Sequence, residues 1–257
     1  MLDVHPPHGS TRSWKDFFVH LATIVIGLLI AVGLEQTVEL IHHRNQRIDL
    51  EEQMRDVLKQ DREFIARDTE QFNRFREYLL GIQSAISARL KGQAPSQPPR
   101  IDPRTAFVTP MPNLAPYQAA KENGTVALLD SNRIRLYNRV AFQRDLMQAA
   151  MDRWVGSLAL MDAFRKRYDV SQDTRVFGQP VAAADVTKLT LTELTEYRSI
   201  LGTVIDATDQ LVGRFHLMDV MVHAILDGTE DESGLLLQVE RGMGIHVRTN
   251  ESPARVN

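Results

Sequence analysis

The sequence has no cysteine in its 257 residues, which removes disulfide scaffolds, thiolate zinc sites, iron–sulfur clusters and cysteine nucleophiles together. Basic excess is missing too: 30 Lys and Arg stand against 33 Asp and Glu, so there is no electrostatic footprint for nucleic acid. No Gly-x-Ser-x-Gly elbow, P-loop or dinucleotide fingerprint occurs; Gly242-Met243-Gly244 is two glycines and nothing more. No proline lies between Pro7 and Pro95, and after Gly9 only Gly27, Gly33, Gly81 and Gly92 fall in that stretch. Such a stretch carries few helix breakers.

The most informative absence is local. From 17 to 34 no residue carries a fixed charge, an 18-residue run at the lower limit for a helix crossing about 30 Å of hydrocarbon. Trp14 precedes it at headgroup level, and Lys15 can snorkel. Ala31-Val32-Gly33 offers small residues for a cut after Gly33, the mark of a cleaved signal peptide. Helical pattern nevertheless continues through Glu35, Thr37, Glu39 and Ile41, which favours an uncleaved anchor. Arg12 and Lys15 before the run balance Arg44 and Arg47 after it, so charge leaves the orientation tied. A signal anchor normally keeps its short N-terminal side in the cytoplasm, which places the body outside a bacterial cytoplasmic membrane.

Beyond the span, Met54, Leu58, Ile65, Phe72, Phe75, Leu79, Ile82 and Ile86 recur in a 4-3 rhythm of the coiled-coil kind, interrupted by Asp61 and Asp68. The pattern predicts one long helix to about Leu90, solvated near the membrane and kinked there. Seven of the eleven prolines then crowd into 95–116 as an extended linker. A short helix over 116–122 stops at Asn123-Gly124.

Two amphipathic helices of about 37 residues follow. Ser131 is the expected cap of the first, with the stripe Ile134, Tyr137, Val140, Met147, Met151, Trp154, Leu158, Met161, Phe164 and Tyr168. Thr190-Leu191-Thr192-Glu193 is a capping box opening the second. Its stripe runs Leu194, Tyr197, Leu201, Val204, Leu211, Phe215, Met218, Val222 and Ile225 to a stop at Asp227-Gly228. Gly156, Gly202 and Gly213 each weaken a helix interior by about 1 kcal/mol, which close helix approach would justify. The runs 235–239 and 245–247 read as weak strands or a lid. The expectation is an all-α chain: tail 1–16, transmembrane helix 17–34, long stalk and bundle helix 35–91, linker 92–116, bundle body 117–228 built on two antiparallel helices, and tail 229–257.

Candidate chemistry is thin. His216, Asp219, His223 and Asp227 share one helix face at spacings of 3, 4 and 4, a possible zinc or iron set. Any polar face of an amphipathic helix gives the same spacing, and bundle metal sites usually draw Glu-x-x-His pairs from several helices. The one Glu-x-x-His, Glu39 with His42, lies beside the span. A solvated face is therefore the preferred reading, with a metal-binding or enzymatic bundle as the alternative, and no cofactor is expected. His42-His43-Arg44 reads as a polar collar where the helix leaves the membrane. Within the span, Thr23, Gly27, Ala31 and Glu35 recur every four residues, a small-residue face suited to close packing of two spans, with His20 near it. This predicts a homo-oligomer formed through the span.

The segment 24–36, Ile-Val-Ile-Gly-Leu-Leu-Ile-Ala-Val-Gly-Leu-Glu-Gln after a Trp14 to Phe18 lead-in, resembles the N-terminal span of small bacterial membrane-anchored proteins of unknown function. Tyr117-Gln118-Ala119-Ala120-Lys121-Glu122-Asn123-Gly124-Thr125-Val126-Ala127-Leu128-Leu129, followed by a helix with Tyr137, is similar to their second recurrent block. The resemblance covers roughly a quarter of the chain and lacks the Trp those proteins often carry just after the span. It implies an uncleaved single span and a helical body that scaffolds, senses or binds a partner rather than catalysing a reaction.

Overall fold

A computed structural model describes residues 14–94, 111–170 and 186–244. Five α-helices carry nearly all of it: α1 (Trp14–Leu90), α2 (Ala115–Glu122), α3 (Ser131–Arg167), α4 (Leu191–Leu226) and α5 (Glu232–Gly242). Among the described residues there is no strand, so the all-α expectation holds.

Helix α1 runs 77 residues without interruption, about 115 Å along its course at 1.5 Å per residue. It divides by burial. Residues 14–49 are almost wholly exposed, and from Leu50 onward every third or fourth residue is buried. All eight positions of the 4-3 stripe lie in the core, joined by Leu50, Tyr78 and Ala85.

The bundle has three long helices. Ile48 and Leu58 lie near Tyr137 and Ile225, Phe72 near Trp154 and Phe215, and Tyr78 near Arg165, which in turn bonds Tyr197. Numbers thus rise together along α1 and α3 and fall along α4. Helix α4 is antiparallel to both neighbours and packs along each. The α1–α3 seam is wider and is filled by large rings: Phe72 and Phe75 meet Trp154 edge-on at 5.0 and 5.9 Å. Parallel α1 and α3 require the chain between them to travel back along the bundle. Most of the Pro-rich linker, residues 95–110, lies outside the described residues, but its end does return to mid-α1, where Asn113 N donates to Asp61.

Local signals explain the helix ends. The capping box is present, Thr190 Oγ1 accepting from Glu193 N and Glu193 Oε2 from Thr190 N at 2.7 Å. The cap of α3 is Asp130 rather than Ser131: its Oδ1 accepts from Asn132 N and Arg133 N at 2.9 Å, which makes Ser131 the first helical residue. Gly124 and Gly228 follow α2 and α4 at φ of +83° and +97°, a region glycine enters without strain. The run 235–239 is not a strand but the middle of α5, where Leu235 alone is buried. Glu232 pairs with Arg139 at 2.6 Å, and Leu235 packs into the core, folding α5 back over α3 and α4. The run 245–247 lies outside the described residues.

The interior glycines are another correction. A Cβ on Gly156, Gly202 or Gly213 meets nothing within 4 Å, so none of the three mediates close helix approach. Gly242 is the opposite case, since a Cβ there would fall 2.8 Å from Val220 of α4.

Candidate functional site

The largest exposed apolar surface is the first part of α1. Phe17, Phe18, Ile24, Ile26, Leu28, Leu29, Ile30 and Leu34 are all more than half exposed, and none of this segment packs on the bundle. The helix is long and apolar enough to cross a membrane. Trp14, Phe17 and Phe18 form a ring cluster at 5.7–5.9 Å around its start, the amphipathic end that suits an interface. Thr23 Oγ1 donates to Val19 O and Thr37 Oγ1 to Gly33 O, so both hydroxyls satisfy themselves inside the helix. Gly27, Ala31 and Glu35 are fully open, and a Cβ on Gly27 would meet nothing within 4 Å. The four face residues are therefore placed on one surface of a helical segment that packs against none of the described bundle.

The polar residues that follow the apolar segment are also exposed. Glu39 reaches His43 at 3.9 Å rather than His42, and the two imidazole rings sit 6.4 Å apart. Arg47 and Glu51 stand 4.0 Å apart.

The His/Asp set on α4 does not act as a unit. His223 Nδ1 lies 3.0 Å from Asp219 O and 3.2 Å from Asp219 Oδ1. His216 Nε2 turns to the Gly242 carbonyl of α5 at 3.2 Å. Asp227 closes the helix with its own N–H to His223 O at 2.8 Å. Among the described residues no three His, Asp or Glu side chains gather in ligand geometry. The face expected to be solvated is in part an α4–α5 contact, which is where His216 spends its ring nitrogen.

The polar groups that the sequence pattern underrated are the two acids within the α1 stripe. Asp61 is buried, and its carboxylate accepts from Asn113 N at 3.0 and 3.2 Å. Burial pushes its pKa up to about 6, against the pull of Asn113 N–H and Arg144. Asp68 is more deeply buried, and neither oxygen has a hydrogen bond; Arg67 Nε stands 3.5 Å away in poor alignment. Burial again lifts the carboxyl to about 6. The signal was available, since Asp61 and Asp68 occupy seven-residue positions of an otherwise apolar stripe.

Farther along the core, buried Arg165 donates to Tyr197 Oη at 2.8 Å and Tyr78 Oη at 3.4 Å, tying the three long helices together. At the opposite end a cleft of about 360 Å³ opens where α1 enters the bundle, lined by Glu51, Arg55, Arg133 and Tyr137 among others. These polar groups fix helices against one another, and none forms a nucleophile–base pair within the described residues. Compared with known proteins, the chain matches no family model, no curated protein and no solved structure at a significant level.

Proposed function

We propose that the chain is a single-pass protein of the bacterial cytoplasmic membrane whose helical body acts as a scaffold, sensor or partner-binding module. One observation carries the reading: the uncharged segment 17–34 is exposed along its length, yet it belongs to the same unbroken helix that supplies a face of the core. Twelve Leu, Ile, Val and Phe lie in that segment, each favouring the bilayer centre by about 0.3–0.6 kcal/mol. In water the same surface is an aggregation liability. The continuity of α1 through Gly33 supports an anchor that is retained.

Residues 35–49 add about 22 Å of helix between span and bundle, so the body stands clear of the headgroups on a stiff post. The body faces the outer side of the membrane. The spans pair through Thr23, Gly27, Ala31 and Glu35, and a sensing version of the protein passes its signal by that association or through a bound partner. The resemblance of 24–36 and 117–129 to small bacterial anchored proteins supports the same arrangement.

Membrane fractionation tests it. The full chain should sediment with membranes and resist alkaline carbonate, while a chain lacking 1–34 should remain in the supernatant. Recovery of the full chain as a soluble, monodisperse species would overturn the reading. Protease added to intact cells should reach the bundle; digestion only after lysis would reverse the orientation.

A further inference from the structure

Between the span and the bundle, α1 carries a second apolar pattern. Leu34, Val38, Ile41 and Ile48, with Asn45 completing the series, follow a 4-3-4-3 spacing. The four apolar side chains are 44–67% exposed, and Ile48, the least exposed, borders the cleft at the mouth of the bundle. At 100° per residue this stripe lies about half a turn from Leu50, Met54 and Leu58, the residues with which α1 enters its own core. A partner laid on the stripe from Leu34 to Asn45 therefore stays clear of α3 and α4, and at Ile48 it reaches the mouth of the cleft lined by Tyr137 and Ile225. The same register runs back into the span through Ala31 and Gly27.

We propose that residues 34–49 of α1 form a parallel two-stranded coiled coil with the same segment of a second copy of this chain. In heptad terms Val38 and Asn45 hold the a positions and Leu34, Ile41 and Ile48 the d positions. Charge complementarity identifies the occupant as a copy of the segment itself. Arg44 falls at g and Asp49 at the following e, the pair that meets across a parallel dimer, once on each side. Neither residue has an ion-pair partner in its own chain among the described residues. Asn45 faces its counterpart across the seam and fixes register and two-strand state, at a cost in stability. The next a position is Glu52, with Glu51 at g and Asp56 at e; these acids oppose one another in a dimer and end the seam where the chains part into separate bundles. The parallel orientation rests on the anchoring proposed above, because two spans in one membrane bring the segments together in the same direction. Sharing a membrane also raises their effective concentration, which a seam of two heptads needs.

The absence of native cysteine makes the test clean, since each introduced thiol is the only one. Full-length chains in native membranes, each with one cysteine at a position from 34 to 49, are treated with a short bismaleimide. V38C, I41C, N45C and I48C should give the strongest dimer bands, and E39C and H43C the weakest. Those last two positions continue the four-residue repeat of Thr23, Gly27, Ala31 and Glu35, so maxima there would mean that spans pair without the coil. A flat profile, or one peaking at 39 and 43, overturns the proposal. R44E turns two attractions into repulsions and should lower the dimerisation constant about tenfold, with R44E/D49R restoring it. No loss in R44E, or no rescue in the exchange, also overturns it. Carbonate extraction of the same membranes separates the two readings. Seam-periodic cross-links in a chain that carbonate releases would leave the coil standing and the anchor refuted, and a resistant chain without that periodicity would do the reverse.

Discussion

Asp68→Asn should make this protein more stable at neutral pH, although it alters a wholly buried side chain. The carboxyl has no hydrogen bond to either oxygen and its pKa is raised from 3.8 to about 6 by burial. A folded-state pKa above the unfolded one means that the native state binds a proton more tightly than the unfolded chain. Stability is then complete below about pH 4 and is lost as pH rises from there through about 6. Two pKa units correspond to about 3 kcal/mol, the upper end of what ionised Asp68 costs above pH 7. Asparagine keeps the shape and the unsatisfied polarity of the protonated acid but cannot ionise. Full-length D68N should therefore exceed the parent by up to about 3 kcal/mol at pH 7.5 and match it near pH 4. Urea unfolding in mild detergent reads this through Trp154, which sits against Phe72 and Phe75 with its Nε1 donating to Thr208 Oγ1 at 3.1 Å. Trp14 is the second of the two tryptophans, so a W14F background leaves Trp154 as the one tryptophan, excited selectively over the five tyrosines. With a slope of about 1–3 kcal/mol/M, the midpoint should rise by up to about 1–3 M. A variant less stable than its parent at pH 7.5, with the same pH slope, would show that Arg67 more than offsets the cost of burial and would refute the reasoning.

Three further outcomes follow from packing and local chemistry. Gly156→Ala, Gly202→Ala and Gly213→Ala should each stabilise the bundle by about 0.5–1 kcal/mol, because a methyl group meets open space while the unfolded chain loses freedom; thermal unfolding of the triple variant checks the sum. Thr190→Ala removes the hydroxyl that accepts from Glu193 N and should cost about 1 kcal/mol, with amide exchange rising first in the opening turn of α4. Purified protein should hold substoichiometric zinc and iron by elemental analysis; stoichiometric metal lost in H216A/H223A would install the metal-binding reading in place of the scaffold.

The architecture was legible because three long helices announce themselves by period. Every residue of the α4 stripe is buried, and the box at Thr190 and the stop at Gly228 bound it as written. The failures have separable causes. Ser131 and Asp130 are both good caps and adjacent, and only the backbone conformation of Asp130, φ −67° and ψ 156°, decides between them. The run 235–239 is apolar but too short for its period to distinguish strand from helix, and Asp231, whose side chain accepts from Gly234 N at 2.7 Å, settles it. Helix spacing placed His216, Asp219, His223 and Asp227 on one side of α4, but it could not say that α5 would return to that side and engage His216. Asp61 and Asp68 were visible as breaks in a stripe, whereas their burial depends on neighbours that no single helix encodes.

These two acids, seven residues apart on one stripe, serve different ends. A bundle whose first and third helices are parallel needs its connecting chain to run back along its length, and that chain must be fastened somewhere along α1. Asp61 does this: its carboxylate takes the Asn113 N–H, while Arg144 of α3 donates its Nε to the neighbouring Pro112 carbonyl at 3.0 Å. Removing that acceptor leaves a backbone donor without its partner, so ionisation of Asp61 is costly yet structural. Asp68 fastens nothing and is buried more deeply. The difference locates the weak point of the body on α1, between the returning chain at Asp61 and the aromatic seam at Phe72 and Trp154. It lies on the helix that also carries the exposed apolar segment 17–34. Any rotation or tilt imposed on the exposed part of α1 passes along an unbroken helix through Leu50, Met54 and Leu58 before it reaches that point, and acid pH, which relieves Asp68, should slow amide exchange there.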